Sequence, residues 1–143
     1  MREVLFRGKR TDTGEWVYGS LVYWPGDDEI GTIVVFESED EAGFIFGEHI
    51  EVYLNTVGQY TGKLDAIGEK IFEGDVCEER FACDTERYEI LYSGSSFSHR
   101  NITVQEKYGT SFDDVESGMD PSLMKIIGNI HDNPELLEVG DNV

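Results

Sequence analysis

Apolar and polar residues alternate from the beginning of the chain. Val4 and Phe6 share one parity, and Arg7 and Lys9 the other. A period of two predicts β-strands. Asp12-Thr13-Gly14 predicts a hairpin turn. The run from Glu15 to Tyr23 has Trp16, Tyr18 and Val22 on one face. Val17, Leu21 and Tyr23 fall on the other, as in a strand covered on both sides. Pro25-Gly26-Asp27-Asp28 predicts a turn, residues 32–36 a short apolar strand, and Glu37-Ser38-Glu39-Asp40-Glu41 an acidic loop. Phe44, Phe46, Ile50, Val52 and Tyr53 resume apolar structure.

The same reading continues through the second half. Thr56-Val57-Gly58-Gln59-Tyr60-Thr61-Gly62 forms a compact segment, and Leu64 to Gly68 a turn. Ile71-Phe72-Glu73-Gly74-Asp75-Val76 enters a strand through a Gly-Asp turn. Tyr88, Ile90 and Tyr92 alternate with Arg87 and Glu89, and Ile102 and Val104 with Thr103 and Gln105, giving two half-buried strands. Ser93 to Ser96 reads as a hairpin turn, and residues 109–122 as a polar loop with room for one helical turn. Met124, Ile126 and Ile130 mark a last strand. Asn133 before Pro134-Glu135-Leu136-Leu137 predicts an N-cap and a short terminal helix. No stretch sustains helical periodicity, so the pattern predicts a mainly β fold. Trp16, Tyr18, Val57, Phe72, Val76, Ile90, Val104, Ile126 and Ile130 are expected inside.

Length and composition fit that reading. A chain of 143 residues is long enough for one domain with its own core. Its 16 glycines and 12% aromatics suit short strands joined by tight turns. The natural division is into halves 1–62 and 63–143 of a single domain.

Charge changes the picture more. The formal net charge is −19, from 30 acidic and 11 basic residues. The basic residues Arg2, Arg7, Lys9 and Arg10 crowd the start. From 11 to 62 there are eleven acids and no lysine or arginine. Such a chain is not expected to bind duplex DNA directly, since phosphates call for a basic surface. An anionic membrane is disfavoured for the same reason. The acids either solvate the surface or meet a basic partner, in the limit as a mimic of nucleic acid.

If the two cysteines, Cys77 and Cys83, sit on one straight strand, about 20 Å separates them, too far for a disulfide. A bend between them would be needed to bridge them, and nothing demands one. Free thiols imply a reducing compartment. The start, Met1 to Arg7, lacks the apolar stretch of a signal peptide, and Ile33-Val34-Val35-Phe36 is too short to cross a membrane. The expected location is the cytoplasm.

Candidate chemistry is thin. Glu73 and Asp75, with Asp65 nearby, could hold a divalent cation, as could Asp113, Asp114 and Glu116; neither set has the spacing of a known cation loop. Cys77, Cys83, His99 and His131 lack zinc-ligand spacing. The serines at 93–96 lack a nucleophile elbow. No metal, cofactor or catalytic residue is therefore assigned. Two groups stand as candidate binding residues. Gln59, Tyr60 and Thr61 could line a groove, or form a core tyrosine with its neighbours satisfied. Glu37, Glu39, Asp40 and Glu41 could face a basic partner.

Four stretches in order carry a family resemblance. They are Phe6-Arg7-Gly8-Lys9 with Gly14 to Gly19; Thr56 to Gly62; Asp65, Gly68 and Ile71 to Val76; and Ile127-Gly128-Asn129-Ile130-His131-Asp132-Asn133-Pro134-Glu135-Leu136. Together the chain resembles the YopX family of phage and prophage proteins. The resemblance implies a β-rich fold with a small SH3-like barrel or strongly curved antiparallel sheet, in a bacterial host. It implies no activity. The first expectation is a non-enzymatic accessory protein working through protein contacts. Its rivals are an acidic decoy for a basic host protein and an enzyme of unknown class, possibly metal-dependent. Apolar residues on both faces of 16–23 also suggest a homo-oligomer.

Overall fold

A computed structural model describes residues 3–81, 84–93, 96–103, 110–111 and 120–138. The chain adopts the mainly β fold that the alternation predicts. It divides into two compact units, Met1–Tyr60 and Thr61–Val143.

The first unit is built from β1 (Phe6–Arg10), β2 (Trp16–Val22), β3 (Ile30–Glu39) and β4 (Ile45–Leu64), whose last four residues belong to the second unit. β1 pairs with β2 on one edge and with β4 on the other. With the β2–β3 and β3–β4 ladders, this closes four antiparallel strands on themselves. Closure removes exposed strand edges. Ile33, Ile50 and Val52 are buried within. The guanidinium of Arg7 lies 4.7 Å from the centroid of the Trp16 ring, a cation–π contact.

β4 runs for 20 residues where two shorter segments were expected. It accommodates a register shift against β1, from Arg7↔Gly58 to Lys9↔Tyr53. The Thr56 hydroxyl bridges this irregularity. It accepts the Lys9 N–H at 2.9 Å and donates to the Tyr53 carbonyl at 2.6 Å.

Tyr18 departs from expectation. It is 44% exposed, as is Val22 at 43%. β2 has one face toward the inside of the ring and the other toward solvent, so apolar residues on both parities did not mean cover on both faces. Trp16 and Val57 are half-buried.

The second unit contains β5 (Lys70–Phe72), β6 (Asp75–Phe81), β7 (Asp84–Ser93), β8 (Ser96–Asn101), β9 (Thr110–Ser111) and β10 (Lys125–Asn129). An antiparallel sheet runs β10-β6-β7-β8-β9. Its core gathers Ile71, Cys77, Tyr88, Ile90 and Met124, with Ile126 packed against them. Phe72 and Val76 are also buried, and Ile130 is half-buried. Val104 lies outside the described residues.

The expected terminal helix is only a 3-10 turn, Pro134–Leu137. Asn133 makes no side-chain cap to it. Its Oδ1 instead accepts the Asn129 N–H at 3.3 Å. Four residues cannot close an α-helical segment of useful length.

Candidate protein-contact surface

The most unusual surface lies in the first unit. β3 and β4 pair from Ile30↔Tyr53 to Glu39↔Ile45. β2 accompanies β3 only through Thr32, Ile33 and Val34. β1 reaches β4 only from Val52 onward. Among the described residues, β3 beyond Val34 therefore has β4 as its sole ladder partner, and the hairpin continues as a two-stranded arm. One extra β3 residue between Phe36 and Ser38 makes a bulge, because Phe36 opposes Gly47 while Ser38 opposes Phe46. Bulges raise local twist and re-aim side chains.

The arm exposes three phenylalanines: Phe36 at 64%, Phe44 at 66% and Phe46 at 52%. Burying such a side chain is worth roughly 1.5–3 kcal/mol, so three left in water are an unrealised driving force for association. The neighbouring sheet face adds to them. Ser20 opposes Val34, so by strand alternation Tyr18, Val22 and Phe36 share one face. Tyr23 and Trp24, directly after β2, are exposed too.

The acids are not equivalent. The Asp40 Oδ1 accepts the N–H groups of Ala42 and Phe44, each at 2.9 Å. The Asp40 N–H donates to the Phe44 carbonyl, and the Gly43 N–H to the Asp40 carbonyl. Gly43 sits at φ 89°, the left-handed conformation the turn needs. Asp40 is thus the turn's own fastening, with its carboxylate engaged by backbone. Glu37, Glu39 and Glu41 are exposed. Glu37 and Glu39 belong to β3 rather than to a loop.

Gln59, Tyr60 and Thr61 lie toward the other end of β4. Gln59 is half-buried opposite Phe6. Tyr60 is buried, and its N–H donates to the Leu5 carbonyl at 2.7 Å. Thr61 is buried, and its hydroxyl donates to the Ile71 carbonyl at 2.8 Å. The exposed phenylalanines went unread as candidates, because Phe44 and Phe46 look like core residues in one dimension. The signal was their setting, aromatics interleaved with acids around a turn.

Two of the carboxylates considered for metal, Asp65 and Asp75, are engaged by backbone. Asp65 Oδ1 accepts from the N–H groups of Ile67 and Glu69, and Oδ2 from that of Ile126. Burial pushes its carboxyl up, but these backbone donors outweigh burial and hold it below the ordinary value. Asp75 Oδ2 accepts the Phe72 N–H at 2.7 Å. Asp113, Asp114, Glu116 and Cys83 lie outside the described residues. Cys77 is buried, and burial raises its thiol pKa. Among the described residues no group of three or more His, Cys, Asp or Glu side chains is placed to hold a metal.

One shallow depression of about 150 Å³ opens in the first unit, near Arg10, Asp12, His49 and Glu51. Two pairs of its polar groups bond one another. Arg10 Nε pairs with Asp12 at 2.9 Å and, through that hydrogen bond, holds its carboxyl at about 2. The Thr11 hydroxyl donates to Glu51 at 2.8 Å.

These features define a mainly β protein of two compact units, the first a small closed sheet carrying an aromatic, acidic hairpin. The chain belongs to the YopX family, whose description, YopX protein, matches residues 5–138. Its fold is similar to the crystal structure of protein EF1440 from Enterococcus faecalis. The TM-score is 0.65 at 22% identity, covering 96% of this chain and 100% of that one. At that identity the likeness is one of fold. No match is found among curated proteins. No helix among the described residues is long and apolar enough to cross a membrane.

Proposed function

We propose that this chain is a non-enzymatic accessory protein of phage or prophage origin, acting in the bacterial cytoplasm through protein contacts made by the β3–β4 hairpin. The observation that carries the reading is the exposure of Phe36, Phe44 and Phe46 on one arm. Apolar patches of this kind rimmed by polar residues mark interaction sites. The engagement of Asp65 and Asp75 by backbone N–H groups weighs against the metal-dependent enzyme. An acidic decoy would use the same region, but its acids at 27–29 and 37–41 fall at the two ends of β3. Ten residues of strand span about 33 Å, several Debye lengths. The decoy also leaves the phenylalanines without a role.

The test is capture from host lysate with the wild type and with a variant carrying Phe36→Ser, Phe44→Ser and Phe46→Ser, each confirmed folded by circular dichroism. Loss of a specific protein in the variant supports the reading. Equal recovery by both would remove the hairpin from the contact.

A further inference from the structure

The contact reading leaves open what kind of partner the arm takes, and the arm's geometry narrows it. Beyond Val34 the outer edge of β3 has no ladder partner among the described residues. An exposed edge presents backbone N–H and C=O groups ready to pair. A two-stranded ribbon is marginal alone in water, and a third strand would steady it.

Side chains give the chemistry. Beyond the bulge, Ser38 opposes Phe46, so Phe44 and Phe46 fall on the face of Ser38, and Glu39 on the other. Beyond the bulge one face carries Phe44 and Phe46 and the other Glu39, while Phe36, which opposes Gly47, lies on the face of Glu39. No lysine or arginine occurs from residue 11 to 62, so no nearby residue of that stretch neutralises Glu37, Glu39 and Glu41. We infer that the outer edge of β3 accepts an extended basic segment as an added strand, its apolar residues on the face of Phe44 and Phe46 and its lysines or arginines near Glu37 and Glu39. This rests on the contact reading above. A second copy of this chain fits worse. Antiparallel self-pairing would set glutamates against glutamates, and like charges opposite one another destabilise a sheet.

The probe is a blocked eight-residue peptide alternating valine and lysine. Its controls replace lysine by glutamate, or N-methylate every second backbone amide. Binding is read by fluorescence anisotropy, and its position by amide shifts of residues 35–39. The Val/Lys peptide should bind with an affinity that falls as salt rises, because the contact is charge-complementary. N-methylation should weaken it at least about tenfold, since strand addition depends on backbone hydrogen bonds. A variant with Glu37→Lys and Glu39→Lys should weaken it similarly while leaving the circular dichroism unchanged. Equal binding of the N-methylated peptide would overturn strand addition, as would amide shifts confined to other strands. Dimerisation through residues 35–39 that the peptide does not compete with would make a second copy the occupant. No peptide binding, with lysate capture still dependent on the phenylalanines, would sink this inference and leave the contact reading standing.

Discussion

Glu79 and Glu86 stand directly opposite each other across the β6–β7 ladder. Their circumstances differ. Glu86 Oε2 accepts the Tyr88 hydroxyl at 2.6 Å and the Asn101 amide at 3.1 Å. Glu79 is only 6% exposed, and its Oε2 has no hydrogen-bond partner among the described residues. Burial first, then the charges of Glu86 and Asp120, push the Glu79 carboxyl up.

A raised carboxyl means that the native chain holds this proton more tightly than the unfolded chain. The contribution of Glu79 to stability is therefore best below its unfolded pKa. It declines as pH rises through the native value. Glu79→Gln should stabilise the protein by about 1 kcal/mol at pH 7, because it removes a buried charge facing another. The gain should vanish near pH 4, where glutamate is itself neutral. Urea unfolding at both pH values reads this directly. A variant weaker than wild type at pH 7 would mean that Glu79 has a charge partner after all.

Asp65 works in the opposite sense. Its carboxylate accepts three backbone N–H groups, two from its own turn and one from Ile126, sixty-one residues away. A depressed carboxyl stabilises above its unfolded pKa, and that stability is lost as pH falls through the native value. Asp65→Ala should cost about 1–3 kcal/mol at pH 7, since it strands the Ile67, Glu69 and Ile126 N–H donors at a partly buried site. The penalty should shrink below about pH 3, where the wild type loses the same interaction. Thermal unfolding across pH 2–7 checks both the magnitude and the sign.

Much of this architecture was readable in one dimension, and the failures have physical causes. The alternation at 6–10, 88–92 and the turn at Phe72-Glu73-Gly74-Asp75 are local, and local patterns survive folding. Ring closure is not local, since it depends on β1 finding β4 about fifty residues later. Tyr18 differs from expectation because a two-sided apolar pattern has two explanations, burial on both faces or one apolar face left toward solvent. Glu79 was invisible as a special residue, because only the register sets it against Glu86. The sequence singles out the acids of 37–41 but not the phenylalanines beside them, which look like core residues until the arm is seen. Asp40 looked like its neighbours because sequence does not reveal which carboxylate a turn will use.

Two glycines separate steric from conformational cost. A Cβ added at Gly19 would lie 2.3 Å from the Val34 carbonyl oxygen. One added at Gly14 would meet nothing within 4 Å, but the residue sits at φ 74°. Gly14→Ala should cost about 1 kcal/mol, the price of left-handed backbone for alanine. Gly19→Ala has to move backbone out of the β2–β3 ladder and should cost well over about 2 kcal/mol. Chemical denaturation of both variants ranks them, and an equal effect would show that β2 yields easily to the added methyl.

The acids of the hairpin should likewise separate, and the separation bears on function. Asp40→Ala removes the acceptor of the Ala42 and Phe44 N–H groups. Local turn caps of this kind contribute about 1 kcal/mol. The loss should appear first as faster hydrogen exchange at Ala42 and Phe44, with little change in the global unfolding midpoint. The reason is position: the arm extends past the strands that close the ring, so it can open without opening the core. Glu41→Ala, next in sequence and exposed, should leave exchange unaltered. In a binding assay the two should also differ in kind. Asp40→Ala loosens the presentation of Phe44 and weakens binding at every salt concentration. Glu41→Ala removes a charge from the rim and acts mainly on the association rate, an effect that fades as salt rises. Unchanged exchange at Ala42 and Phe44 in Asp40→Ala would show that the backbone bonds around Gly43 hold the turn unaided. Asp40 would then be, like Glu37, Glu39 and Glu41, an acid that the turn does not need.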